Sequence, residues 1–485
     1  MQTVIAPFRA VLRRFAISTI GLSLLALFGA LYVNHPYVYQ EVMTAIMKVP
    51  VSRPFVDWEW ITSSIECWTK GVDVYAKSPC WIWHDYGFNY SPLWLRATFL
   101  RFVEGWTSLF GLLFAALFFL SLALLPPPRT RPDFAITLLA TMSSATALAV
   151  ERANTDLIMF LMIIVSVWAC GLSLPFRLAG YAVITLAGLL KFYPTVALIV
   201  ALRERPAIVG TIALAAGAAL AVLAFSYYEE LARMAGNLPS ASYFTLQFSA
   251  KDLPGGLGVI VSKLMKELLH EDATVAETFG GLVYRSLLLL LIVQAPVTAF
   301  WFGRRCDLQS AVAQLPSRKA DFLAVGAAII CGCFFAGQSV IYKGIFLLLA
   351  LPGLLALSHK LPLPWARAAF RGTCFAIVFA LWFLFIEASI QVAGLGTKPP
   401  YLLKDGHFVN EGLAGLVGYV AWLCNELAWW WIVIVLLSVF GTFVLNSQLW
   451  AMVSRVLRLP ARWRVDRRPL AEPGPPVRLG EPTGR

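Results

Sequence analysis

The chain of 485 residues is 59% hydrophobic and 14% charged, with a mean hydropathy of +0.72, whereas a soluble domain carries about 25% of its residues as Asp, Glu, Lys and Arg. That composition excludes a soluble globular domain and makes the bilayer the solvent. The net charge of +12 sits in short basic segments between apolar runs, the pattern of cytoplasmic loops rather than of a nucleic-acid surface.

Arg13 and Arg14 precede the apolar run Phe15 to Val33, which is long enough to cross a bilayer and lacks a small-residue cleavage site, so a retained first helix is expected. Further spans are predicted at about 105–125, 134–150, 155–174, 206–226, 282–301, 321–340, 344–358, 373–393 and 427–446. The stretch 178–202 decides the parity. It carries Lys191, Phe192, Tyr193 and Pro194 in its middle, and as one helix it would leave Arg203, Arg205, Arg304 and Arg305 outside. Two half-helices meeting at Lys191 restore the charge pattern and bring the count to about twelve, with both ends cytoplasmic. The expectation is an all-α polytopic membrane protein. Residues 1–460 form one transmembrane domain with outer loops at about 34–104, 227–281 and 394–426, and 461–485 form a basic, disordered cytoplasmic tail.

The tryptophans between Trp58 and Trp83, and Trp429 to Trp431, read as an interfacial belt or as short surface helices. Six of the eight cysteines fall in or beside apolar runs, as buried small hydrophobes. Cys67 and Cys80 share the first outer loop, where a disulfide is expected to contribute about 3 kcal/mol.

Four polar clusters interrupt this pattern. The first outer loop holds Asp57-Trp58-Glu59, then Gly71 to Tyr75, then Phe88 to Leu93 with Tyr90. A carboxylate beside aromatic rings is suited to take a proton from a saccharide hydroxyl, although for either residue taken alone a solvated loop acid is the better explanation. The turn Glu151 to Asp156 sets Arg152, Asn154 and two acids between apolar helices, where an unpaired charge costs about 3 kcal/mol or more. Helix capping would account for Asp156 but is not needed for Arg152 or Asn154. Lys191 at a helix break and Lys343, beside Tyr342 at another helix start, are cations suited to a lipid-linked phosphate. The five histidines are scattered without metal spacing, and no Gly-rich phosphate loop or GxSxG elbow occurs, so neither a metal nor another cofactor is expected.

In their order, these clusters resemble the GT-C glycosyltransferases, most of all glycosyltransferase family 87, the polyprenyl-phosphate-sugar-dependent mannosyl and arabinosyl transferases. Gly71-Val72-Asp73-Val74-Tyr75 resembles the family's G-x-D-P-Y and Phe88 to Leu93 its F-x-Y-P-P. The 151–156 turn resembles its Asn-containing turn, Lys191 to Pro194 its K-x-x-P, and Tyr342 to Leu347 its Y-R-x-x-F-L. The resemblance implies a GT-C-like fold in a bacterial cytoplasmic membrane with an active site facing the periplasm. It implies inverting transfer from a polyprenyl-phosphate sugar to a glycan or glycolipid acceptor. Asp57, or else Glu59, would be the base. Lys191, Arg152, Lys343 and Tyr342 would hold the donor phosphate, and Asn154, Asp156, Tyr90, Trp58 and Tyr193 would face the sugars. Asp57 departs from the pattern by lying well after the first helix, and Lys343 by replacing an Arg, which loses bidentate phosphate binding but keeps the charge. A flippase for lipid-linked sugars and an O-antigen polymerase or ligase are the rival readings.

Overall fold

The computed structural model describes residues 2–457 apart from 52, 82–86, 102–104, 239–242, 245 and 396–412. The expected tail, most of the 394–426 segment and Trp83 lie outside the described residues. The described residues are mostly helical. In order it forms α1 (Gln2–Asn34), α2 (Pro36–Met47), α3 (Val56–Thr69), α4 (Pro92–Arg96), α5 (Trp106–Ser121), α6 (Arg131–Thr141), α7 (Ser144–Glu151), α8 (Thr155–Ala169) and α9 (Leu174–Lys191). A 3₁₀ segment (Tyr193–Arg203) leads to α10 (Pro206–Ser226), α11 (Tyr228–Gly236), a two-residue strand β1 (Gln247–Phe248), α12 (Asp252–Leu268), α13 (Ala273–Arg305) and α14 (Leu308–Ala313). Then come α15 (Ser317–Ala336), strand β2 (Ser339–Val340), a further 3₁₀ segment (Ile341–Phe346), α16 (Leu347–Lys360), α17 (Pro364–Leu381), α18 (Phe383–Leu395), α19 (Leu413–Leu445) and α20 (Gln448–Val456).

Among the described residues eight helices are long and apolar enough to cross a membrane, or ten if the bent pairs α6–α7 and α17–α18 each count as one span. They expose large apolar side chains, such as Leu214, Phe225 and Leu289, that water would not tolerate in such number. The protein is therefore embedded in a membrane. Two of the twelve expected crossings, α8 and the Tyr193–Arg203 segment, are shorter. At 1.5 and 2.0 Å per residue each covers about 22 Å of a hydrocarbon core about 30 Å thick.

The centre of the bundle is α15 and the run Ile341–Lys360, whose most apolar stretches are 78% and 89% buried. Charged side chains gather at the two ends of the bundle, and one end is basic, with Arg129 and Lys360 close to Lys319. At one end Arg203 pairs with Asp321, Arg177 with Glu204, and His359 with Asp133, while Lys360 donates to the Gln314 carbonyl. The other end holds the 56–96 segment, the 151–156 turn, Lys191 and β2. There α11 latches onto the 56–96 segment. Glu230 binds Arg96 and the Tyr75 hydroxyl, Arg233 binds Asp73, and Asn237 donates to the carbonyls of Tyr75 and Phe88.

Two sequence expectations need correction. Trp429 and Trp430 are buried, not interfacial: Trp429 stacks on Phe248 at 4.4 Å and Trp430 packs edge-on against Phe334. Cys424 is exposed, while Cys170, Cys306, Cys331, Cys333 and Cys374 are buried.

Cys67 and Cys80 are disulfide-bonded, which ties the C-terminal half of α3 to the following loop. Closing a loop of this length is worth about 3 kcal/mol. Cys67→Ser/Cys80→Ser is expected to lower the thermal unfolding midpoint of the purified protein, and the reductant-induced shift of the wild type should vanish in the variant.

Candidate functional site

The site is assembled where two helix ends share their unpaired backbone groups. At the N-terminus of α3 the Phe55 N–H donates to the Glu151 carbonyl (2.6 Å) and the Asp57 N–H to the Arg152 carbonyl (3.1 Å). Free N–H groups at one helix start thus satisfy free carbonyls at another helix end. This docking brings the Asp57 side chain onto the turn. Its Oδ1 accepts from Arg152 Nε (2.9 Å) and Nη2 (2.7 Å), and its Oδ2 accepts from Asn154 Nδ2 (2.6 Å).

Asn154, not Asp156, caps α8, since its Oδ1 accepts the Asp156 N–H at 2.9 Å. Asp156 is thereby released from the bland role that sequence allowed it. It is fully buried, and its Oδ1 accepts from Lys191 Nζ (2.6 Å) and from the Tyr193 hydroxyl (2.6 Å). Both residues come from the break after α9, where Phe192 takes a left-handed φ of 60° ahead of Pro194. Lys191 also donates to Asn154 Oδ1 (3.1 Å) and Thr155 Oγ1 (2.8 Å). An ammonium has three N–H groups, so these contacts saturate Lys191. Asn154 is the bridge, touching Asp57 with its amide nitrogen and Lys191 with its amide oxygen.

Aromatic rings wall the cluster. Lys191 Nζ lies 5.4 Å from the Tyr90 ring centroid and 5.9 Å from that of Tyr342, within cation–π range. Burial among Asp57 and Asp156 pushes the Tyr90 hydroxyl well above its ordinary range, so it stays neutral. Lys343 stands beside them, 5.2 Å from the Tyr193 ring and donating to Ser339 Oγ at 3.2 Å. Ser339 is fixed by pairing with Phe248 in the short β1–β2 ladder. Among the described residues no carboxylate pairs with Lys343.

Asp57, Arg152, Asn154, Asp156, Lys191, Tyr193, Tyr90, Tyr342 and Lys343 therefore share one site. Glu59 and Trp58 do not. Two residues along a helix turn a side chain by about 200°, so Glu59 points away from the Asp57 network and pairs with Arg53. Burial pushes its carboxyl above the usual range in spite of that partner. Trp58 is 1% exposed and packs against Trp94, Phe110 and Phe114. Its neighbour Trp60 stacks on Trp81 at 4.7 Å. Two hydroxyls of the site, Thr155 and Ser339, carry no sequence signal, because an isolated Ser or Thr in an apolar chain has no diagnostic spacing. No group of three or more His, Cys, Asp or Glu side chains suited to a metal occurs among the described residues.

No protein-family model matches the chain, and no curated protein or solved structure does so either.

Removing one partner from a buried ion pair costs about 3–5 kcal/mol because the remaining charge is stranded. Asp156→Ala is expected to destabilise the protein by that amount in denaturant or thermal unfolding, and Asp156→Ala/Lys191→Met to recover much of the loss. A double variant whose loss equals the sum of the two single-variant losses would mean that the pair is not coupled.

Proposed function

We propose that this protein is a membrane glycosyltransferase of the GT-C kind, similar to family 87, moving a pentose or hexose from a polyprenyl phosphate to a glycan or glycolipid acceptor. The single observation that carries this reading is the Asn154 bridge. It joins one oriented carboxylate, Asp57, to a cationic pocket, Lys191 and Lys343, inside a wall of neutral tyrosines. A displacement at an anomeric carbon needs both parts, a group that takes the acceptor proton and positive charge at the leaving phosphate.

In the proposed reaction the acceptor hydroxyl oxygen attacks the anomeric carbon opposite the phosphate. Asp57 takes the hydroxyl proton as the new C–O bond forms, and the bond to the phosphate oxygen breaks with its electron pair, inverting the centre. Arg152 and Asn154 orient the carboxylate. Because Lys191 is saturated, Lys343 is the cation with N–H groups left to meet the phosphate first, while Lys191 adds its charge from behind Asp156. We further read α8 and the Tyr193–Arg203 segment as short crossings. They complete twelve spans, leaving the basic end in the cytoplasm and the site on the outer face of a bacterial cytoplasmic membrane. The clustering of the site residues at one end favours an enzyme over a flippase, which needs charged groups accessible to both sides.

Asp57→Asn is expected to lower transfer of labelled sugar from polyprenyl phosphate in membranes by about 10²–10⁴-fold. Undiminished transfer would remove Asp57 as the base. Lys343→Met should raise the KM for donor by about tenfold or more, with Lys343→Arg retaining donor use. An unchanged donor dependence in Lys343→Met would remove the phosphate role.

A further inference from the structure

The hairpin of α12 and α13 holds a groove that the Asp57 site does not use. With 33 residues α13 is about 50 Å long, against a hydrocarbon core of about 30 Å. Its C-terminal Arg304 and Arg305 lead into α14 at the basic end, so about a dozen N-terminal residues extend beyond the core at the opposite end. α12 starts just after β1, whose partner strand carries Ser339, so the hairpin rises beside the Asp57 site.

The groove has a volume of about 670 Å³ and is lined by Tyr243, Tyr284, Lys263, Lys266, Glu277 and Gly281, among others. Helix packing explains some of its glycines. A Cβ on Gly258 would lie 2.6 Å from the Gly280 carbonyl oxygen, and one on Gly280 2.5 Å from that of Gly258. Gly281 is different: a Cβ there would meet nothing within 4 Å. A glycine inside a helix costs about 0.5–1 kcal/mol relative to alanine, and here it leaves the groove open without serving any neighbour. The rings of Tyr243 and Tyr284, 6.3 Å apart and tilted by 37°, offer aromatic faces.

The charges of the groove cancel. Lys266 pairs with Glu277 at 2.8 Å and Lys263 lies 3.7 Å from Glu267. A phosphate or carboxylate would have to break these pairs and sit beside a glutamate. A neutral polyol would not, because its hydroxyls can donate to the glutamates and accept from the lysines while its C–H faces rest on the tyrosines. An acyl chain would leave the four charges unused.

We propose that this groove binds a neutral glycan, which the transferase takes as its acceptor. The acceptor role rests on the transferase reading; the binding does not.

The test uses the full-length protein in lipid nanodiscs, without donor, titrated with mannotetraose and with a tetra-arabinofuranoside and followed by saturation-transfer NMR and thermophoresis. At least one tetrasaccharide is expected to bind. Gly281→Trp, at a position where an added Cβ meets nothing within 4 Å, should weaken that binding at least tenfold at an unchanged unfolding midpoint. Tyr284→Ala should weaken it too, and Lys343→Met should leave it as it is. Failure of both saccharides to bind the wild type, or binding unmoved by both groove variants, would overturn the proposal. So would inorganic phosphate that outcompetes the saccharide and is itself lost in Gly281→Trp. If transfer from the lipid donor were never observed, the transferase reading would fail while saccharide binding and its loss in Gly281→Trp would stand.

Discussion

Four charged side chains, Asp57, Arg152, Asp156 and Lys191, are held where little water reaches them, and each ion taken out of water costs several kcal/mol before any pairing. No single segment supplies its own compensation. Asp57 belongs to α3, Arg152 and Asp156 to the α7–α8 turn, and Lys191 to the end of α9. The cost is offset only when all three meet, so the polar network is also the joint that fixes α3 against the bundle. Asn154 makes the joint cooperative, since one amide satisfies Asp57, Lys191 and the start of α8 together.

That joint has a chemical consequence. A carboxylate and two ammonium groups are kept at fixed positions by helix ends and backbone contacts rather than by free loops, and the tyrosines around them carry no charge to repel an anion. Such an arrangement is preorganised for the proposed reaction, in the sense that little reorganisation would be needed as charge developed on a phosphate held there. The opposite end of the bundle carries its own ion pairs, Arg203 with Asp321 and Arg177 with Glu204. The division between a basic end and an end holding the Asp57 site makes the molecule directional.

Much of this was legible in the sequence, and the reasons are specific. Lys191 interrupts a long apolar run and is followed by Pro194, so both the helix break and the buried cation stood out. The 151–156 turn was legible because charges between two apolar helices need partners. What stayed hidden depends on geometry across the chain. Trp58, Trp429 and Trp430 look interfacial by composition, yet they face inward because Phe114, Phe248 and Phe334 meet them edge-on or stacked. Asn154 could not be told from Asp156 as the cap, since both residue types cap helices and only the turn at Ala153, with φ of 44°, decides between them. The saturation of Lys191 was equally invisible, because Thr155 contributes a hydroxyl that no spacing announces.

The most direct test of the central claim is a structure determined with a polyprenyl-phosphate sugar bound. The phosphate is expected within hydrogen-bonding distance of Lys343, with Lys191 adjacent, and the anomeric carbon facing a space bounded by Asp57. A lipid phosphate seated elsewhere, with the Asp57–Asn154–Lys191 network closed and untouched, would contradict it and leave that network as a structural joint alone.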